Sequence, residues 1–234
     1  MIHGMAMARD VELRCRCGEV QGRVTNASPQ TVNRVVCYCD DCQAFVHYLG
    51  RADLLDAHGG TDIVQVAPAS LSFHRGGERI AGVRLSPRGL YRWYAECCKT
   101  PVGNTLGPSI PFVGIVAKAF EGGACAPDDL FGKPIAGIQG KFAIGAAPEG
   151  STSSKLRLVA HAVRLVLGWR ISGQTWPHPF LDRATRAPSR PMTILSRGER
   201  NALRPLCGPH PVGVSAAPRF PDSSTGAGAH HRVG

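Results

Sequence analysis

The chain has 234 residues, of which 43% are hydrophobic and 19% are charged, so it is long enough for one domain with its own core plus an extension, or for two small domains. The sequence contains no run of eighteen or more apolar residues, so it predicts no membrane-spanning helix. The net charge of +10 suggests a nucleic-acid partner, but residues 155–204 hold ten Lys and Arg against Asp182 and Glu199. The charge is therefore concentrated in one segment, which is either a solvated basic extension or a surface for RNA, anionic lipid or an acidic partner.

The first half of the chain is predicted to form short strands. Runs rich in β-branched and aromatic residues are separated by Gly, Pro, Asn and Asp, which favours a mainly β fold of small sheets or a sandwich. These runs lie at 11–14, 19–24, 31–37, 63–67, 69–74, 89–95 and 112–117. Residues 42–49 are expected to form a short helical turn.

The pattern changes after about residue 125, where we expect the β domain (10–125) to give way to an extension (126–204). Residues 153–170 predict an amphipathic basic helix, begun by Ser153 or Ser154, whose apolar stripe packs against the β domain. A helix that lies on a membrane surface is the alternative. That stripe consists of Leu156, Val159, Ala160, Val163, Val166 and Leu167. Residues 176–191 are Pro-rich and predicted irregular, and the tail (205–234) has few large apolar residues and is predicted to be disordered.

The N-terminal residues show no apolar run that predicts a secretory signal, so we expect a cytoplasmic protein. In a reducing compartment, clustered cysteines are more often metal ligands or catalytic thiols than disulfides. Five of the nine cysteines lie in the first 42 residues. Cys125 and Cys207 stand alone and are interpreted as inert buried thiols.

The stretch CYCDDCQ (37–43) carries Cys37, Cys39 and Cys42 on one tight loop. Three sulfurs there can converge on one zinc ion and leave the fourth tetrahedral position open for water or substrate. A redox role for the Cys39–Cys42 C-x-x-C is disfavoured because no βαβ pattern surrounds it. Reduced, inert thiols are the remaining interpretation.

Cys15 and Cys17 make half of a second, four-ligand site. Its other half must come from distant sequence, and Cys97 and Cys98 are the clustered candidates. A closed site of this kind would join an early strand to a late one, with a folding contribution on the order of 10–16 kcal/mol by comparison with zinc-finger peptides.

The segments CRCGEVQG, CYCDDCQ and RGGERIAGVRLSPRGLYRWYAECCKTP together resemble the glutathione-dependent formaldehyde-activating enzyme family, which includes centromere protein V and has an Mss4-like fold. The resemblance covers residues 10–118. It implies a structural zinc held by the first and last cysteine pairs and a second, catalytic zinc held by the central triplet. On this pattern Cys15 and Cys17 match the first pair, and Cys98 matches the last cysteine of C-x-x-C-G-T-P.

The chain departs from this pattern at the last pair. Ala95 stands where the pattern has a cysteine, Cys97 is adjacent to Cys98, and Lys99 replaces the usual glycine. Either Cys97 supplies the fourth ligand through an unusual turn, or water or another side chain completes the site.

The resemblance implies a zinc-dependent carbon–sulfur lyase that acts on an adduct of glutathione and a small aldehyde, such as S-hydroxymethylglutathione. Three thiolates give the zinc site a net charge of −1, which favours holding an incoming thiol over polarising a carbonyl. Asp40, Asp41 and His47 are candidate proton carriers. The carboxylates of glutathione suit an arginine fork, for which the candidates are Arg75, Arg79, Arg84, Arg88 and Arg92. The alternative is a non-catalytic, zinc-stabilised binding module whose basic extension contacts RNA or a protein partner.

Overall fold

The computed structural model describes residues 8–120, 127–151 and 156–208. Its strands are β1 (Arg9–Arg14), β2 (Gln21–Ala27), β3 (Asn33–Cys37), β4 (Thr61–Val66), β5 (Leu71–Arg75), β6 (Ile80–Arg84), β7 (Tyr91–Ala95), β8 (Thr100–Thr105), β9 (Val113–Val116), β10 (Ala136–Ile138) and β11 (Met192–Ile194). Its α-helices are α1 (Asp40–Tyr48), α2 (Pro127–Phe131), α3 (Leu156–Ile171) and α4 (Arg197–Leu203). The predicted mainly β fold with a helical C-terminal part is confirmed.

The strands form two sheets. A three-stranded antiparallel sheet has the order β1-β2-β5, and an eight-stranded sheet has the order β10-β3-β4-β9-β8-β7-β6-β11. The two edge strands of the larger sheet pair in parallel with their neighbours and come from the C-terminal half, with Ile138 opposite Cys37 and Met192 opposite Gly82. Strands β10 and β11 therefore cover the edges at β3 and β6, which would otherwise expose unpaired backbone groups.

The main core lies between the sheets and includes residues from the C-terminal half. Phe180 is fully buried and stacks on Trp93, with ring centroids 4.7 Å apart and planes 8° apart. The indole of Trp93 donates a hydrogen bond to Thr105 Oγ1 (3.1 Å), so its polar atom has a partner inside the core. Burial of a phenylalanine is worth roughly 1.5–3 kcal/mol, so Phe180 anchors this part of the chain to the β core.

The predicted basic helix is present as α3, but it packs on a different face from the one predicted. Leu165 and Trp169 are buried and contact Ala67 and Phe112. Of the predicted stripe, only Val166 joins this contact. The side chains of the stripe that face solvent are Leu156, Val159, Ala160, Val163 and Leu167. Because both faces of α3 are apolar, periodicity could not show which face packs on the sheet. The packed face is the one that carries Trp169, the largest side chain of the helix.

The predicted helical turn at 42–49 is α1, with Cys39 as its N-terminal cap. No helix in the described ranges is long and apolar enough to cross a bilayer. Cys125, the candidate caps Ser153 and Ser154, and residues 209–234 of the predicted disordered tail lie outside the described residues. The start of that tail is ordered instead: Arg204–Leu206 form a short helical turn, and Cys207 is buried because it packs into an apolar cluster with residues of α1 and α4.

Candidate metal centres

A four-cysteine cluster joins two turns of the β fold. Cys15 and Cys17 lie between β1 and β2, and Cys97 and Cys98 lie in the turn between β7 and β8. Their four sulfurs lie within 4.8 Å of one another. The Sγ–Sγ distances are 3.5 Å for Cys15–Cys17, 3.3 Å for Cys17–Cys97, and 3.9 Å for both Cys15–Cys97 and Cys97–Cys98. A disulfide would need about 2.05 Å, whereas a tetrahedron with Zn–S bonds of 2.3 Å needs about 3.8 Å. These sulfurs can therefore hold a metal ion, and zinc fits the spacing.

Polar contacts connect the two turns of this cluster. The hydroxyl of Thr100 accepts a hydrogen bond from the Arg16 amide (3.1 Å) and lies 3.1 Å from Cys98 Sγ. The amide of Val20 donates to Cys15 Sγ (3.2 Å). Such contacts orient ligands and tune their charge. Burial works against the Cys98 thiolate, but the Thr100 hydroxyl and nearby backbone amides outweigh it and lower the pKa of Cys98 to about 6.

The adjacent cysteines reach one centre through a four-residue turn, 96–99. Lys99 ends this turn in the left-handed region, with φ of 55°. Glycine adopts this conformation without strain, whereas a residue with a Cβ is disfavoured there by about 1 kcal/mol. Lys99 therefore takes the conformation expected of the glycine in C-x-x-C-G-T-P, and its ammonium lies 5.2 Å from the centre of the Tyr94 ring. Ala95 is buried in β7, and Cys97 lies with the other three sulfurs instead.

A three-cysteine cluster lies where β3 leads into α1. Cys37 is the last residue of β3, Cys39 caps α1, and Cys42 lies in the first turn of that helix, where its amide contacts Cys39 Sγ (3.4 Å). The three sulfurs lie within 4.8 Å of one another, and no other His, Cys, Asp or Glu of the described ranges belongs to the group. The positive end of the helix dipole favours thiolate here. The protein thus offers three ligands to one ion at this cluster.

Arg92 is buried beside the three-cysteine cluster. Its side chain in β7 is 1% exposed, and Nη1 donates to Cys42 Sγ (3.8 Å) and to Asn104 Oδ1 (3.1 Å). The guanidinium also lies 5.3 Å from the centre of the Phe45 ring. Buried charges are tolerated only when they are paired. No carboxylate of the described residues forms an ion pair with Arg92, so the nearest groups of opposite charge are the thiols of Cys42 and Cys39, with Asp41 acting more weakly.

The pKa values of Cys42 and Arg92 shift as that pairing requires. Hydrogen bonds from Cys37 and Cys39, together with the charge of Arg92, hold the pKa of Cys42 well below its usual value. Burial opposes the charge on Arg92, but the charges of Cys42 and Cys39 outweigh it and raise the pKa of Arg92. Hydrogen bonds within the cluster and burial raise the pKa of Cys37, and the pKa of Cys39 is raised to about 12. Cys42 is therefore the thiol that carries the negative charge, and Arg92 is its counter-charge.

The two candidate aspartates are held by arginines of the C-terminal segment. Arg200 Nη2, in α4, bonds to Asp40 Oδ2 (3.1 Å) and Asp41 Oδ1 (2.7 Å). Arg204 lies 3.5 Å from Asp40. His47 is half-buried, and this burial lowers its pKa. The C-terminal segment thus binds the start of α1 through arginine–aspartate pairs.

Of the five candidate arginines, only Arg92 contacts a cysteine of the three-cysteine cluster within the described residues. Arg84 lies over the Tyr91 ring (4.7 Å), Arg79 pairs with Glu19 (3.1 Å), and Arg75 and Arg88 are exposed. The sequence did not single out Arg92, although its position between aromatic residues in YRWYA was a signal of burial. Cys207 is buried, and burial raises its pKa to about 11, which fits an inert thiol.

Comparison with known proteins identifies a family. A family model described as "Family of unknown function (DUF6151)" matches residues 7–182. The chain belongs to the DUF6151 family. The DUF6151 match includes both cysteine clusters and Arg92, whereas β11 and α4, with Arg200, lie beyond it.

No curated protein matches the chain. Among solved structures, a Rhodobacter sphaeroides protein from a structural genomics programme is similar, with 18% identity and a TM-score of 0.36, over 54% of this chain and 99% of that one. Neither finding names the formaldehyde-activating family, so that resemblance rests on the cysteine motifs.

Proposed function

We propose that this DUF6151 protein is a zinc-dependent enzyme that acts on the carbon–sulfur bond of a thiol–aldehyde adduct resembling S-hydroxymethylglutathione. The observation that carries the proposal is the three-cysteine cluster, which gathers three sulfurs without a fourth ligand among the described residues. A bound zinc ion would supply a position at which an incoming thiol is held as thiolate.

Charge balance is compatible with a thiolate as the fourth ligand. Three thiolates and a divalent cation sum to −1, which by itself disfavours another anion. Arg92 adds a buried positive charge 3.8 Å from Cys42 and brings the total to zero. Asn104 holds the guanidinium in place through its side-chain oxygen. Because charges act strongly in a buried site, this counter-charge removes the net repulsion that a site of charge −1 would exert on an incoming thiolate.

Metal content and turnover together test the proposal. Purified wild-type protein should contain two zinc ions, and Cys39→Ser should contain one and lose turnover of S-hydroxymethylglutathione. Cys207→Ser, which removes a buried thiol outside both clusters, is the matched control and should behave as wild type. Turnover that persists in Cys39→Ser would exclude this site as the catalytic one.

A non-catalytic, zinc-stabilised binding module is the second candidate, and one observation favours it. Ile138 and Leu158, both from the C-terminal half, pack against the apolar cluster that contains Cys37 and Cys42, so the C-terminal half forms part of the surroundings of these sulfurs. Chelator treatment of the full chain separates the two functions. An enzyme should release one ion and keep its fold, whereas a module should hold both ions tightly, show no turnover, and bind RNA or a protein through its basic segment with salt-dependent affinity.

A further inference from the structure

Helix α3 presents a second apolar face to solvent. Five aliphatic side chains follow one another along it and are 48–87% exposed. We call them the aliphatic face: Leu156, Val159, Val163, Leu167 and Ile171. Isolated exposed leucines are ordinary, but a continuous apolar stripe along a whole helix indicates a binding surface. The opposite face of α3 is already packed on the β core through Leu165 and Trp169.

The surroundings of the aliphatic face are basic. Helix α3 contains no Asp or Glu, and the exposed Arg164 and Arg170 lie on either side of the stripe. At the C-terminal end of the helix, Arg170, Arg183 and Arg186 line one cavity of about 390 Å³. We call it the arginine pocket. A partner for this surface must therefore combine apolar groups with negative charge.

The acidic residues near the arginine pocket and in α4 form hydrogen bonds with other groups and do not pair with the pocket arginines. The Asp182 carboxylate accepts hydrogen bonds from the Thr185 amide (2.8 Å) and hydroxyl (2.9 Å), and Glu199 caps α4. Arg170 Nη1 donates to a backbone carbonyl, that of Ser109 (2.9 Å). Within the described ranges, the three arginines of the pocket form no ion pair with a carboxylate. Their charges remain available to an external anion.

We propose that the aliphatic face and the arginine pocket dock this protein on the surface of an anionic lipid bilayer. The helix lies in the plane of the interface with its aliphatic side chains among the acyl chains, while the arginines bind lipid phosphates. A second copy of the chain fits less well, because pairing two α3 helices would bring arginines together with no acidic residue between them. This docking surface is independent of the metal centres.

Vesicle co-sedimentation of the full chain tests the proposal. The protein should bind vesicles of phosphatidylcholine with phosphatidylglycerol, bind those of phosphatidylcholine alone weakly, and lose affinity as salt rises. Val163→Asp should weaken binding to anionic vesicles by about tenfold or more, because it places a charge in the aliphatic face, which the bilayer would bury. Leu167→Gln is a milder second variant in case Val163→Asp misfolds. Ser86→Asp, on a loop of the β domain, adds the same charge elsewhere and should bind as wild type.

The arginine pocket has its own variant. Arg183→Ala combined with Arg186→Ala should weaken binding and flatten its salt dependence, while thermal unfolding stays unchanged. Absence of binding to anionic vesicles would overturn the proposal. It would also fail if wild-type protein is a dimer in sedimentation velocity that Val163→Asp converts to monomer, since the face would then bind a second copy. Equal weakening by Ser86→Asp, or binding to polyglutamate but not to vesicles, would equally contradict it.

Discussion

The two cysteine clusters differ in how their surroundings treat negative charge. The four-cysteine cluster joins two turns, has four ligands, and has Cys17 and Cys97 exposed to solvent. The three-cysteine cluster lies at a helix start, with Cys37 and Cys42 buried and Arg92 buried beside them. A closed ligand set is typical of structural zinc, and an open one is typical of catalytic zinc. Under the proposed function, the first cluster would stabilise the fold and the second would carry the chemistry.

The largest expected effect comes from breaking the four-cysteine cluster. Cys17→Ser should remove one zinc ion and much of the cooperative unfolding transition, because structural zinc sites contribute on the order of 10 kcal/mol to folding. Circular dichroism during chemical denaturation, together with elemental analysis, measures both effects. If Cys17→Ser unfolds like wild type while Cys39→Ser does not fold, the two clusters have the opposite roles.

Removing the counter-charge of the three-cysteine cluster should have the next largest effect. Arg92→Met leaves the zinc–thiolate centre with an uncompensated negative charge in a buried site, and removal of one partner of a buried charge pair typically costs about 3–5 kcal/mol. Competition with a chromophoric chelator should show weaker zinc binding at one of two sites. Arg92→Lys keeps the charge and should recover part of that affinity. Unchanged affinity in Arg92→Met would show that the guanidinium does not stabilise the thiolates.

His178, which lies in neither cysteine cluster, makes an acid-sensitive contribution to the free energy of unfolding. Burial lowers its pKa to about 4, and its Nδ1 accepts a hydrogen bond from the Phe180 amide (3.1 Å). Because the unfolded histidine titrates near 6.5, the unfolded state binds more protons between pH 6.5 and 4, and stability falls across this window as pH decreases. The loss should reach about 3 kcal/mol.

His178→Asn keeps an acceptor for the Phe180 amide and should remove this part of the pH dependence of chemical denaturation. Acid release of metal from thiolates remains in the variant, so the difference between variant and wild type isolates the histidine. A variant with the same pH slope as wild type would contradict the assignment.

The smallest expected effect concerns Lys99, which ends the turn that carries the adjacent cysteines. Lys99→Gly should stabilise the protein by about 0.5–1 kcal/mol, because glycine adopts the left-handed conformation freely. Lys99→Ala keeps the backbone strain and removes the ammonium from Tyr94, so it should be neutral or slightly destabilising. Urea denaturation with saturating zinc measures both, and a destabilised Lys99→Gly would mean that the turn does not strain Lys99.

Sequence patterns predicted the local features well. Cysteine spacing identified the two groups of sulfurs that the structure brings together, and residue type predicted most strands of the first half. Strands β6 and β8 were not predicted. For β8 the reason is that it contains Pro101 and Gly103, which disfavour strands in isolation. The edge strands β10 and β11 have three residues each, too few for any period to be visible.

These sequence patterns could not predict long-range packing. Five arginines were equivalent in sequence, and only the position of β7 against α1 brings Arg92 to Cys42. The same limit applies to Asp40 and Asp41, whose partner Arg200 lies about 160 residues away. Which face of α3 is buried depends on where Trp169 meets the sheet.

The most direct test of the three-ligand site uses cobalt in place of zinc. The visible absorption spectrum of the Co²⁺-loaded full chain is recorded while glutathione is added. We expect a change in the ligand-field and sulfur charge-transfer bands for one of the two ions in wild type, and no response in Cys39→Ser. A wild-type spectrum that glutathione leaves unchanged would mean that the three-cysteine cluster offers no position to a thiol, and the central claim would be wrong.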